Sequence, residues 1–263
     1  MSTRKKKQTE CSFSLAHYSE ILKSALDSGY KFVSYEQIDK EPGHLCTLRH
    51  DIDYMPLRAA SLGIAEHEMG ISAYYFFLVN SEIYNLRDRR VYKVVQLLEG
   101  LGHKVGLHFD LAWDPQFTWE QVADQCDTEK RLLKTLTGVE PCEIVSFHNP
   151  HTFTDLILNK KVEGISHTYE KQYFTDIKYL SDSQGWYEGC VCEIFNNKVY
   201  EKLQVLTHPY IWPHISNGDF ISDMADMVNI KRDDISNYMI NYHPKVREEY
   251  ERFREMQHYR SNN

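Results

Sequence analysis

The sequence predicts an α/β protein folded as a single distorted (β/α) barrel of about seven strands. Three observations predict it. Segments of helical periodicity alternate with short apolar runs from Ser14 to about Leu206. The clearest run, Ala73 to Val79, is apolar at every position, as in a strand covered on both faces. Nothing Pro/Gly/Ser-rich divides the 263 residues, a length that one α/β barrel commonly fills. Strands separated by helices imply right-handed crossovers and a mainly parallel sheet, either closed into a barrel or open and doubly wound.

The elements follow in order. Ser14 to Tyr30 carries Leu15, Tyr18, Ile21, Leu22 and Ala25 on one helical face and Gly29 as its stop. His44 to Asp53 reads as a buried strand. Met55 to Gly70 reads as a helix with Pro56 in its first turn. Ser72 to Asn80 is the next strand, and Asp88 to Leu101 a helix. Lys104 to Asp110 (strand), Trp119 to Thr137 (helix), Glu143 to His148 (strand) and Thr154 to Val162 (helix) continue the alternation. Shorter strands are expected at His167 to Phe174, Ile177 to Leu180 and Leu203 to Leu206. Residues 1–12 are expected to be a flexible tail and 13–263 one domain. From about Asp219 the chain is helical and charged, a solvated outer helix or a subunit contact.

Composition narrows the function. Hydrophobic residues make up 42% and aromatics 13%, enough for a large core and contrary to disorder. The 38 acidic residues against 30 basic give a net charge of -8, which argues against nucleic acid as the principal partner, because phosphate neutralisation needs a basic field. Arg4, Lys5, Lys6 and Lys7 are not followed by an apolar run, so the start has the charge of a signal peptide without its hydrophobic part. No stretch approaches the roughly 20 apolar residues of a spanning helix. A soluble, cytoplasmic protein of unspecified oligomeric state is expected. The six cysteines, Cys11, Cys46, Cys126, Cys142, Cys190 and Cys192, form no C-x-x-C pair and are read as free, mostly buried thiols. Cys190 and Cys192 are given no role.

Chemistry collects where the apolar part of each strand ends: Arg49-His50-Asp51-Ile52-Asp53, Asn80-Ser81, His108-Phe109-Asp110, His148-Asn149-Pro150-His151, Ser181-Asp182-Ser183 and Thr207-His208-Pro209. In parallel α/β folds these ends share one face of the molecule, so residues distant in sequence meet there. Alternation along a strand puts Asp51 with Asp53, and His108 with Asp110, on common sides. Asp and His donors together suit zinc, manganese, iron or cobalt, with zinc leading. The blander alternative is that each His is a satisfied core residue and that Asp53 caps the helix at Pro56. Recurrence at successive strand ends favours a site.

These residues resemble the polysaccharide deacetylase (NodB homology, carbohydrate esterase family 4-like) family, in particular its divergent branch associated with bacterial surface-polysaccharide gene clusters. The resemblance covers roughly Leu45 to Trp212. Arg49-His50-Asp51-Ile52-Asp53 is similar to the family's first motif, in which one Asp is the base and another a metal ligand. Gly106-Leu107-His108 resembles the start of the second, and Ser146-Phe147-His148-Asn149-Pro150 takes the place of the third. Ser181-Asp182-Ser183 with Trp186 resembles the fourth, and Leu206-Thr207-His208-Pro209 with Trp212 the fifth, whose His is the catalytic acid. The chain departs from the pattern twice. Ala112 stands where the second motif has a further metal-binding His, with His148 or Asp110 as the replacement, and Ile52 separates aspartates that are adjacent in the family.

The resemblance implies a NodB-type barrel and a metal-dependent carbohydrate N-deacetylase. A divalent metal, zinc first, is held by Asp53, His108 and His148. Asp51 is the base, His208 the acid and Asp182 its tuning partner, with the opposite division of labour between Asp51 and Asp53 open. Trp186, Trp212 and Asn149 contact an N-acetyl sugar or sugar conjugate. The alternatives are hydrolysis of another amide or ester, or a carbohydrate-binding relative without catalysis, the latter motivated by Ala112.

Overall fold

The computed structural model describes residues 11–111, 118–150, 164–183, 185–186, 188–212, 220–242, 247–250 and 252. Ala112, His151 and the helix expected from Thr154 to Val162 lie outside them. The chain divides into two compact units, Met1–Ser216 and Asn217–Asn263. The second contains a 23-residue helix, Phe220–Tyr242, and the sheet belongs to the first.

Seven parallel strands build that sheet: β1 (Lys31–Phe32), β2 (Leu45–Ile52), β3 (Tyr74–Leu78), β4 (Lys104–Asp110), β5 (Ser146–His148), β6 (Lys178–Ser181) and β7 (Lys202–Thr207). They run in the order β5-β4-β3-β2-β7-β6, with β1 added to β2, so β5 and β6 are the edges of an open barrel. Helices α1 (Leu15–Asp27), α3 (Ala59–Glu68), α4 (Arg89–Gly100) and α5 (Trp119–Thr137) supply the outer layer. Short helices α2 (Tyr35–Ile38), α6 (Lys171–Phe174) and α7 (Val191–Asn196) fill the connections.

Local chemistry sets the boundaries. The Ser14 hydroxyl accepts the His17 amide to start α1. Thr118 and Gln121 form a reciprocal capping box at the head of α5, and Gly138, at φ 75°, ends it in the left-handed conformation that a side chain disfavours. Asp53 does not cap a helix, because Met55, itself left-handed at φ 49°, stands at that position. The strand expected over His167 to Phe174 is a correction. Only His167 bridges the sheet, to Val145, and Lys171–Phe174 is helical. Glu170 accepts the His167 amide at 3.0 Å and the Ser166 hydroxyl at 2.9 Å, turning the chain before a strand can continue.

Strand alternation sorts the core into two sides. Leu48, His50 and Ile52 of β2, with Tyr75 and Phe77 of β3, face the helices, where Ile21, Leu22, Leu62, Val95 and Leu98 cover them. Leu45, Tyr74 and Phe76 point inward and, with Tyr35, Ile38, Ile144 and Tyr173, form an apolar floor. Above that floor Arg49, fully buried, donates to Ser146 Oγ at 3.1 Å, to Tyr169 Oη at 2.8 Å and to the Thr168 hydroxyl. Since Ser146 is on β5, three strands from β2, this contact requires the sheet to curl around its interior. Gly106 lets it: a Cβ there would come within 2.6 Å of the Phe76 ring. The strand ends beyond Arg49 therefore open into one mouth.

His167 gives the fold a measurable signature. Its ring is fully buried against Phe147, and neither nitrogen has a hydrogen-bond partner among the described residues. Burial disfavours the imidazolium and lowers the pKa from 6.5 to about 4. The folded state thus refuses a proton that the unfolded chain accepts, so stability is full above pH 6.5 and falls as the pH drops toward 4. The loss is about 3 kcal/mol at the acid end. Urea unfolding of wild type and His167→Phe at pH 7 and pH 4.5 should show a smaller acid loss in the variant, and equal losses would refute the assignment.

Candidate active site and metal centre

Four side chains from four strands meet at the mouth. Asp53 follows β2, His108 lies in β4, His148 ends β5, and His208 follows β7. Asp53 Oδ1 is 3.0 Å from His108 Nε2 and 3.0 Å from His148 Nδ1, and the two imidazole nitrogens are 3.2 Å apart. Donors on bonds of about 2.0–2.1 Å at tetrahedral angles stand about 3.3 Å apart, so the triad has the dimensions of one face of a metal's coordination shell. Asp110, in register with His148 on the neighbouring strand, is not among the donors that converge.

The hydrogen bonds behind the triad point the same way. His108 Nδ1 lies 3.1 Å from the Ser146 carbonyl, which can only accept, so Nδ1 carries a proton and Nε2 is the nitrogen turned to Asp53 and His148. Lone pairs of two rings and a carboxylate facing one point repel unless a cation, or a proton on a ring, stands between them. Charge follows suit. Burial pushes Asp53 toward its neutral form, but the hydrogen bonds from His108 and His148 and the nearby His208 outweigh it and hold the carboxyl far below its usual range. Burial lowers the His148 pKa, and its hydrogen bond and charge interaction with Asp53 more than restore it. Oxygen with imidazole nitrogen suits zinc and its first-row neighbours, so these residues fit the expected metal.

Behind the triad stand two further carboxylates with opposite surroundings. Asp51 is 2% exposed; its Oδ2 accepts from Ser146 Oγ at 2.9 Å and lies 3.5 Å from the Arg49 guanidinium, while Oδ1 has no hydrogen-bond partner among the described residues. Asp182 is saturated. It accepts the His208 amide at 2.9 Å, His208 Nδ1 at 2.6 Å and the Trp212 indole N–H at 2.7 Å. His208 Nε2 is consequently free to face the site, 3.7 Å from Asp53 Oδ2. Burial disfavours the charged ring, yet the charge and hydrogen bond of Asp182 lift the His208 pKa to about 9. The ring is protonated at neutral pH.

The two tryptophans expected to contact substrate differ in burial. Trp212 is 2% exposed, with Phe13 and Tyr18 against its ring at 5.2 Å and its N–H on Asp182, so it has no free face for a sugar. Trp186 is half-buried; it stacks on Phe13 and borders a cleft of about 260 Å³ with Tyr179, Ser181 and Ser183, a cleft that none of Asp53, His108 and His148 lines. Asn149 is exposed at the rim, left-handed at φ 49°, directly after His148. Two supporting residues escaped the sequence reading. Arg49 and Ser146 stand within its quoted motifs without a role, although an arginine inside an eight-residue buried strand must find buried partners.

No protein-family model matches the chain, and no curated protein matches it. Solved structures do. The chain is similar to the chitin deacetylase from the fungal pathogen Colletotrichum lindemuthianum, at 16% identity and a TM-score of 0.44 over 78% of this chain and 87% of that one. It is similar to a family 4 carbohydrate esterase from Bacillus anthracis, at 14% identity and a TM-score of 0.37 over 81% and 85%. It is also similar to a mutant of BA3943, described as a family 4 pseudoenzyme with restored enzymatic activity, at 10% identity and a TM-score of 0.40 over 74% of this chain. The chain spans just under two thirds, 65%, of that pseudoenzyme.

Proposed function

We propose that the chain is a metal-dependent hydrolase that removes the acetyl group from an N-acetylated sugar, acting in the cytoplasm in the biosynthesis of a surface polysaccharide such as O-antigen or capsule. The observation that carries the chemistry is the Asp53, His108 and His148 triad, with His108 Nδ1 fixed on the Ser146 carbonyl and His208 Nε2 beside Asp53. The sugar, its carrier and the setting rest on the motif resemblance.

Asp53, His108 and His148 hold the metal, zinc first. Bound there, a divalent cation supplies Lewis acidity, which lowers the pKa of water and offsets negative charge on a carbonyl oxygen. Asp51 takes the proton. Ser146 and Arg49 occupy one of its oxygens and keep the carboxylate oriented, and the other oxygen has lone pairs to spare. His208 gives a proton to the departing amine from Nε2, because Asp182 fixes Nδ1–H and keeps the ring charged until that step. Asn149 stands at the rim where a sugar hydroxyl would arrive.

The test is acetate release from nucleotide-linked and lipid-linked N-acetyl sugars by purified, metal-loaded protein. His208→Ala should lower turnover about 10²- to 10⁴-fold, the usual worth of a positioned acid, with metal content unchanged. Full activity in that variant would remove the acid from the mechanism. Sugar binding without turnover by metal-loaded wild type would instead identify a carbohydrate-binding protein, and turnover of formyl or ester analogues alone would move the activity to another acyl group.

A further inference from the structure

The geometry points to a second metal centre, separate from the barrel mouth, in which Cys11, His17, Cys190 and Cys192 hold one zinc ion where the segment leading into α1 meets the start of α7. It goes beyond the proposed deacetylase reading and does not depend on it.

Donor atoms of Cys11, His17 and Cys190 all lie within 4.8 Å of one another. His17 Nε2 is 3.1 Å from Cys190 Sγ, and its Nδ1 is 2.8 Å from Glu20 Oε2. The carboxylate accepts a hydrogen bond from Nδ1–H, which leaves Nε2 facing the sulfur, the arrangement in which a carboxylate orients a metal-binding imidazole. Cys192 Sγ is 2.9 Å from Cys190 Sγ. That is well beyond the roughly 2.05 Å of a disulfide. It is also shorter than the roughly 3.8 Å between two sulfurs sharing a tetrahedral zinc on bonds of about 2.3 Å, so Cys192, which is outside the three donors that already converge, would swing away from Cys190 to become the fourth.

The surroundings suit a thiolate at Cys11, whereas the hydrogen bond with Cys11 and burial push Cys190 up and burial pushes Cys192 up to about 12, so those two ionise as the ion binds. The Trp186 indole N–H, buried without a conventional hydrogen-bond partner among the described residues, acts on the Cys11 sulfur, as does the Phe13 backbone. Cys190 is buried, while Cys11, His17 and Cys192 are partly exposed, which leaves a way in for the ion. Three sulfurs and one imidazole select zinc over calcium, magnesium or manganese, and four protein donors close the shell as in structural sites.

The site fastens residues 11–17 to residues 190–192. Phe13, held between the two anchors of its own segment, packs on Trp186 and Trp212, and Trp212 donates to the Asp182 carboxylate that orients His208. The zinc thereby braces the acid's support from the helix side, and its removal should lower the melting temperature of the chain.

Cobalt(II) loading tests the site on the wild-type chain, because thiolate-bound cobalt has an intense near-ultraviolet charge-transfer absorption that a site of Asp and His donors lacks. The band should appear in wild type, persist in Asp53→Ala and vanish in Cys190→Ser. Purified Asp53→Ala should retain one zinc per chain. Absence of the band in wild type, its survival in Cys190→Ser, or a disulfide among Cys11, Cys190 and Cys192 in protein kept reduced would each overturn the proposal. Should Cys190→Ser fail to fold, the wild-type band and the zinc content of Asp53→Ala decide.

Discussion

Asp53→Ala should keep the barrel and lose the mouth's metal, and with it acetate release by about 10³-fold or more, since the several kcal/mol of charge stabilisation that a metal provides correspond to that factor. Asp53 is the hub of the triad: one oxygen serves both His108 and His148, and the other faces His208. Removing it takes away the only negative charge in the donor set and leaves two imidazoles 3.2 Å apart with nothing to share. His108→Ala removes a nitrogen and leaves the charge, so its metal affinity should fall less than that of Asp53→Ala. Metal analysis of both variants after dialysis, alongside turnover, separates loss of ligand from loss of chemistry. Wild-type metal content in Asp53→Ala would refute the ligand set. The ordering of the two variants tests whether charge or donor number dominates.

How much of this was legible in the sequence depends on the range over which each feature is encoded. The bounds of β4 and α5 agree with those expected, because the period of each runs long enough to show and Thr118 and Gly138 punctuate the helix. The two-residue β1 and the six-residue α7 are too short to carry a period, and neither was expected. His167 to Phe174 misled because its aromatic residues mimic a strand, while the turn that ends it is made by the His167 amide donating to the Glu170 side chain. At the site, polar residues at strand ends showed where chemistry would gather, since parallel topology does the gathering. The Ser146 carbonyl that fixes His108 was invisible, because any residue supplies a carbonyl. The sulfur cluster was hidden for another reason. Cys11 and Cys190 lie far apart in the chain, Cys190 and Cys192 lack the spacing of zinc knuckles, and only the contact of α1 with α7 unites them.

Glu66→Ala should be the most destabilising of the substitutions considered, costing about 3–5 kcal/mol, the range for removing one partner of a buried charge pair. Glu66 sits on the face of α3 that covers the sheet and is fully buried. Its carboxylate accepts the hydroxyls of Tyr18 on α1 and Tyr75 on β3, lies 2.9 Å from His50 Nε2, and faces His103 Nδ1 at 3.6 Å. Burial pushes its pKa up, and the charge and hydrogen bond of His50, the charge of His103 and the hydrogen bond from Tyr18 pull it below its ordinary 4.5. A group held below its unfolded value contributes stability that is present above pH 4.5 and lost as the pH falls through the folded value. The gap between wild type and Glu66→Gln in urea unfolding should therefore be widest at neutral pH and close in acid. Glu66→Ala should also leave a residual penalty in acid, because the two tyrosine hydroxyls still lack an acceptor. A gap that does not change with pH would mean that the Glu66 pKa is the same folded and unfolded, and wild type gaining on Glu66→Gln in acid would mean that the folded carboxyl is held protonated. Through His50, whose Nδ1 meets the Thr207 hydroxyl at 2.7 Å beside His208, the same carboxylate ties the outer layer to the strand that carries the proposed acid.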